Sequence, residues 1–424
     1  MRLTRQVAGK RKKESISSKA STRVFPFVLV LALMGMSGCA SMMAQKVGPT
    51  QVLMAQQEIP EEELLDVGIV VFDSTELTEE EAEKRGTHPG VRKAERHFMP
   101  YHLKTTMQRS SHWGMVRVVP QESVATDLTV KGEIVESNGE ELILRVEARD
   151  SRGKVWLDKT YHSEVQLAQY VDLQPGQKDA FQDLYNTVAN DLADIRTKMS
   201  PKELRDIRTL SKLRFAGDFA PDPFADYLST NKKGITAANR LPAQDDAMMN
   251  RVLRIRERED MFFDALNGYY EGFYNDMWPS YENWRKADLT ERAAMSKIKR
   301  DAYVRQAAGV LLVALAVFLN AKDVIDSNVL TGAMVLAGGQ VFISGVNISK
   351  QAQIHRAAIE ELGESFDSEM KPVVLDLEGK TYELTGSAEE QYKRWKELLR
   401  QIYFTETGFE ERKEEGSDGG KRPP

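Results

Sequence analysis

Hydrophobic positions along the chain change period several times, and each change predicts an element. Leu65 to Phe72 (LDVGIVVF) is a short, β-branched apolar run and reads as a buried strand. His88-Pro89-Gly90 opens a helix-like stretch from Val91 to Met107, and Val116 to Val119 is a short strand closed by Pro120. Three longer strands follow, Asp127 to Glu136, Glu141 to Asp150 and Val155 to Val165. Leu128, Val130, Ile134, Leu142, Leu144 and Val146 alternate with polar residues, as in a sheet with one buried face. Ser137-Asn138-Gly139 and Ser151-Arg152-Gly153 join them with residues that tolerate positive φ. A helix from Lys178 to Lys198 closes the unit. Residues 65–199 thus predict an α+β domain, an α/β sandwich with a mostly antiparallel sheet.

The second half is mainly helical. Ser200 caps a new helix, with Pro201 in its first turn and Glu203 completing a capping box. A loop-rich stretch, 217–242, leads to a helix from Asp245 to about Trp284. Ile255, Phe262, Leu266, Tyr269, Phe273, Met277, Tyr281 and Trp284 share one face of it, and Pro279 should kink it. Near the C-terminus, Val373 to Leu377 and Thr381 to Thr385 flank Glu378-Gly379-Lys380 as a β-hairpin. Ser387 and Glu390 then cap a helix whose apolar face is Tyr392, Trp395, Leu399 and Ile402. The expected units are a helical domain over 200–303, an apolar hairpin and extension over 304–366, a β-hairpin plus helix over 367–406, and a disordered tail over 407–424.

The apolar hairpin comes from two segments. Ala307 to Leu319 is a run of 13 apolar residues, and Val329 to Ile348 is 20 residues without a charge. Gly332, Gly338, Gly339 and Gly345 place small residues on one helix face, which lets two helices approach closely. The pair resembles the glycine-zipper hairpins of some outer-membrane lipoproteins. A span needs about 20 apolar residues, which the second segment has and the first lacks. A membrane hairpin is the leading reading, with a core or oligomer-interface hairpin next and a β-turn at Gly338-Gly339 last.

The N-terminus adds an address. Eight basic residues and one acid, Glu14, precede an apolar run from Val24 to Met36, and Met36-Ser37-Gly38-Cys39 follows. This is the layout of a secretory signal over residues 1–38. It resembles the lipobox of bacterial lipoproteins. The resemblance implies cleavage after Gly38, a covalent N-acyl diacylglyceryl lipid on Cys39, and an outer-membrane, periplasm-facing location, with 39–64 as a tether. Cys39 is the chain's single cysteine, so the mature protein has neither a disulfide nor a thiol for catalysis. The leader removes eight of 58 basic and one of 64 acidic residues, leaving 50 against 63 and a net charge near −13. An acidic chain lacks the basic footprint of a nucleic-acid binder.

Residues 65–198 resemble the anticodon-binding-like domain of several periplasmic proteins, among them the curli secretion channel, the Tol translocation protein and a lipoprotein activator of peptidoglycan synthase. The resemblance rests on Val67-Gly68-Ile69-Val70-Val71-Phe72, Val116-Arg117-Val118-Val119-Pro120, the stretch from Thr126 to Ile134, and Arg149-Asp150-Ser151-Arg152-Gly153-Lys154-Val155-Trp156. Catalytic signatures do not emerge. His88, His97, His102, His112, His162 and His355 form no metal pair and read as surface residues. Gly379-Lys380-Thr381 reads as a hairpin turn, not a phosphate loop, and Asp218, Asp222 and Asp226 are too widely spaced for an ordinary calcium loop. The aromatic band from Phe262 to Trp284 reads as packed core, with a partner-binding platform as the alternative. The expected function is a non-enzymatic structural or assembly role in the envelope. It implies no metal, membrane lipid as partner, and self-association or an envelope complex. The alternatives are a component of a lipoprotein secretion or export channel, and a regulator of a cell-wall synthase.

Overall fold

The computed structural model describes residues 44–75, 78, 80–82, 87–318, 350, 353–368, 370–377 and 379–407. A seven-stranded sheet organises the N-terminal half. Its strands are β1 (Gln45–Lys46), β2 (Val67–Val70), β3 (Asp73–Ser74), β4 (Val116–Val119), β5 (Leu128–Ser137), β6 (Glu141–Asp150) and β7 (Val155–Glu164), and the order is β1-β7-β6-β5-β2-β4 with β3 also on β5. The sheet is mixed. The long strands β5, β6 and β7 form the expected antiparallel meander, whereas β2 pairs in parallel with both β4 and β5. The parallel pairs arise because a helix, α1 (Pro89–Arg109), connects β2 to β4, and a crossover brings the chain back in the same direction.

Leu128, Val130, Ile134, Leu142, Leu144, Val146, Leu157 and Tyr161 fill one face of the sheet. α1 and α2 (Gln182–Thr197) cover that face, while Arg145 and Asp158 pair across the opposite, solvated one. α1 is buried on nearly every side, because the sheet lies on one flank and α5 (Ala247–Phe318) and a helix over residues 353–368, here α6, lie on the other. Pro100 sits inside α1 and cannot donate to the carbonyl of Arg96. Phe72 N–H takes that acceptor at 3.1 Å, and Arg96 Nε donates to Phe72 O at 2.8 Å. The proline thus opens a helix carbonyl to the chain leaving β2.

Ser200, Pro201 and Glu203 form the expected capping box at the start of α3 (Pro201–Phe219). A short helix α4 (Pro221–Phe224) and the hairpin β8 (Leu228–Thr230) and β9 (Thr236–Ala238) occupy the stretch read as loop. The C-terminal hairpin, β10 (Val373–Leu377) with β11 (Lys380–Leu384), turns at Gly379 with φ 75°. α7 (Ala388–Thr407) buries Tyr392, Trp395, Leu399 and Tyr403, with Trp395 stacked on Phe262 at 5.8 Å. Among the described residues one cluster of buried side chains runs from Leu65 to Tyr403, so the described parts of 65–199, 200–303 and 367–406 share a core.

Two further differences from the sequence reading concern edges. Residues 44–63, expected as part of a loose tether, are laid along the body. β1 pairs with β7, Thr50 N–H donates to Asp183, and Asn190 holds the backbone of Gln51 and Leu53. The far edge, β4, is closed by α5. Asn267 accepts from Val118 N–H and donates to Val118 O, both at 2.9 Å, so one side chain stands in for a neighbouring strand. Asn267→Leu leaves both backbone groups buried and unpaired. The expected loss is about 2 kcal/mol, read as a lower urea midpoint; a change below about 0.5 kcal/mol would show that the clamp is dispensable.

Candidate functional site: the base of the long helix

The lipidation residue Cys39, the cleavage residues Met36, Ser37 and Gly38, and the small residues Gly332, Gly338, Gly339 and Gly345 lie outside the described residues. The helix that leads to the apolar pair is described. α5 is 72 residues long, roughly 110 Å, and runs on past Pro279 and through the start of the apolar run to Phe318. Its packed part ends at Leu289, and Ala293, Met295, Ser296, Lys297 and Arg300 are exposed. Among the described residues no helix is long and apolar enough to cross a membrane.

The base of this arm is fixed by buried charge. Arg285 is 1% exposed and makes two hydrogen bonds to Asp179, which precedes α2, and one to Glu282. Its guanidinium lies over the Tyr281 ring at 4.2 Å. Tyr281 OH and Ser137 Oγ both donate to Glu95 of α1, at 2.7 and 2.6 Å, and Arg92 approaches Glu95 at 3.4 Å. α1, β5, α5 and the turn before α2 therefore meet in one network. Burial acts to raise the Asp179 carboxyl, but Arg285 beside it holds it below its ordinary value. Burial lifts Glu282 to about 7, with Arg285 opposing.

Gly139 explains how closely the β5–β6 turn approaches. A Cβ there would meet Arg285 O of α5. Gly139 N–H donates to Asp288 at 2.8 Å, and Gly139 O accepts from Tyr170 OH at 2.7 Å. The sequence marked this glycine for backbone freedom; the structure uses it for close contact.

The histidines correct the sequence reading. His97 and His102 are buried, because α1 is covered on both flanks, and His112, just past the end of α1, is buried too. His97 Nε2 lies 2.8 Å from Asp367 of α6. His102 Nδ1 is 2.7 Å from Tyr274 OH and Nε2 is 3.0 Å from Gln182 Oε1. Burial lowers the His102 pKa, which favours the neutral ring. Gly176 N–H donates to Tyr274 OH, leaving the phenol proton for Nδ1, and Nε2–H then donates to Gln182. Among the described residues no group of three His, Cys, Asp or Glu is placed to hold a metal ion. The aromatic band is core: Phe98 stacks on Tyr274 at 4.5 Å, and Phe273 meets Phe366 at 4.5 Å.

No protein-family profile matches the chain, and no curated protein matches it. Among solved structures, a PelC dodecamer from Paraburkholderia phytofirmans aligns at 13% identity over 36% of this chain and 96% of its own, with a TM-score of 0.20. A likeness that slight fixes neither fold nor function.

Proposed function

We propose that this chain is an outer-membrane lipoprotein facing the periplasm, with a structural or assembly role in the cell envelope and no catalysis of its own. The observation that carries the reading is the basic and apolar leader ending in Met36-Ser37-Gly38-Cys39. Two features of the body support it. Gln45, six residues after Cys39, is already paired to β7, and six residues reach at most about 20 Å, so a lipid on Cys39 would hold the body close to the bilayer. α5 carries the chain away from its packed core into the apolar segments at 307–348, a second hydrophobic hold. The buried network ties the base of α5 to the body, which suits an assembly component. Self-association or an envelope complex belongs to the same proposal.

The test is fractionation with intact mass of the mature protein. The wild-type chain is expected to begin at an acylated Cys39 and to float with outer-membrane vesicles. Cys39→Ala is expected to lose the lipid mass, and Cys39→Ala with 307–348 deleted to leave the membrane fraction. A mature wild-type chain with a free Cys39 thiol would overturn the proposal. If Cys39→Ala alone becomes fully soluble, the apolar segments do not hold the membrane.

A further inference from the structure

We propose that the mature N-terminus lengthens β1 along β7, with Met42, Met43 and Ala44 opposite Asp158, Lys159 and Thr160, so that Cys39 is carried toward the β6–β7 turn; this deepens the lipoprotein reading above and rests on it. The described strand sets the line. β1 runs parallel to β7, with Gln45 opposite Tyr161 and Lys46 opposite His162, and Val47 N–H donates to His162 O at 2.8 Å. Continued backwards at the same register, Ala44 meets Thr160, Met43 meets Lys159 and Met42 meets Asp158. In a parallel pair every second residue turns its backbone groups to the neighbour. Val47 does so, hence Gln45 and Met43 do too. Met43 N–H would then donate to Asp158 O, and Met43 O would accept from Thr160 N–H.

The place for this strand is open. β7 has 10 residues and β1 covers two of them. Among the described residues only β6 and β1 pair with β7, so nothing pairs with its outer edge before Tyr161. His162 turns its carbonyl to that edge, and period two turns the backbone of Thr160 and Asp158 the same way. The sheet's other edge, β4, is already closed by Asn267. Lys159 and Tyr161 both reach Asp191 of α2, so Met43 falls on the face that α2 covers. The pairing also has a stop. The β6–β7 register passes from Leu157 opposite Ala148 to Val155 opposite Arg149, which leaves Trp156 as a bulge.

Two observations select the chain's own N-terminus over a second copy. The first is length. Met42 to Ala44 fill the regular stretch from Asp158 to Thr160, and Cys39 to Ser41 span at most about 10 Å across the bulge. The second is continuity. The segment joins directly onto a strand already seated on β7, so no loop has to close, whereas another chain would have to bind from solution. Seated in this way, the lipid lies about 10 Å from the sheet, at its β6–β7 turn end.

The experiment uses the acylated full-length mature chain in mild detergent. Acylation consumes Cys39, the one native cysteine, so introduced cysteines pair only with each other. Met42→Cys is combined with Asp158→Cys; opposite Cα atoms of neighbouring strands lie about 5 Å apart, within disulfide reach. Met42→Cys with Glu164→Cys is the control, because Glu164 lies six residues further along β7, roughly 20 Å away. The expected result is a 42–158 disulfide within one chain and none for 42–164. Thr160 N–H is expected to exchange about tenfold more slowly in wild type than in Met43→Pro, which lacks the donor to Asp158 O. An acylated protein with no 42–158 disulfide, or with equal Thr160 exchange in wild type and Met43→Pro, overturns the strand and leaves the lipoprotein reading standing. A disulfide-linked dimer of Asp158→Cys alone gives the edge to a second copy and also overturns it. A wild-type intact mass that retains residues 1–38 overturns both readings together.

Discussion

Replacing Arg285 with methionine is expected to destabilise the protein by about 3–5 kcal/mol, because it strands two buried acids. Asp179 is 4% exposed and takes both its strong charged bonds from Arg285, and Glu282 shares the same guanidinium. Methionine keeps the length and apolar stem of the side chain, so the loss isolates charge rather than volume. Removing a cation from a buried pair costs far more than removing the pair, since the remaining carboxylate has neither water nor partner. The double variant Arg285→Met with Asp179→Asn is therefore expected to recover a large part of the loss. Urea midpoints for wild type, both single variants and the double variant measure this directly. A single-variant loss below about 1 kcal/mol, or no recovery in the double, would show that the network is not what fixes the base of α5. Amide hydrogen exchange should locate the effect: protection is expected to fall first around Gly139, Asp179 and Leu289, where the three segments meet.

The elements whose causes are local were legible in the sequence. The β5–β6–β7 meander follows from period-two alternation, and the α3 and α7 starts follow from Ser200 with Glu203 and Ser387 with Glu390, which bond as capping boxes. What was not legible depends on partners far along the chain. Arg285 finds Asp179 across 106 residues, and Asn267 finds Val118 across 149. The histidines of α1 were misplaced because a helix packed on both flanks loses its polar stripe, and with it the cue for which side faces water. The segment 44–63 was read as loose because its bonds to Asp183 and Asn190 are made by backbone groups, which composition does not reveal. The residues chosen from the leader and the glycine repeat carry the functional argument, and all of them fall outside the described residues. The candidate site in the structure is instead the buried junction that aims the chain toward them.

The contribution of Glu259 to stability is expected to fall as pH rises from about 5 to 8. Glu259 lies in α5, 1% exposed, where Tyr392 of α7 donates to one carboxyl oxygen and the other has no hydrogen-bond partner. Burial raises its pKa from 4.5 to about 7, more than the Tyr392 bond lowers it. The folded value lies above the unfolded one, so the folded state holds its proton longer. Stability from this proton is complete below 4.5 and declines as pH climbs toward 7, where the folded carboxyl also ionises; above that the curve flattens. At about 1.36 kcal/mol per pH unit the total drop is about 3 kcal/mol. Glu282, raised to about 7 by the same cause, adds a slope of the same sign. Glu259→Gln keeps the shape and the acceptor for Tyr392 but cannot titrate. It is expected to match wild type within about 1 kcal/mol at pH 5, to exceed it at pH 8, and so to lose less stability than wild type between those two pH values. Denaturant midpoints at pH 5, 6, 7 and 8 for both proteins decide the matter. An unchanged slope in the Gln variant would mean that Glu259 ionises normally and that water reaches it at the α5–α7 contact. A flattened slope would show instead that the C-terminal helix is held on α5 by a neutral carboxyl, making this contact more secure in acid than at neutral pH.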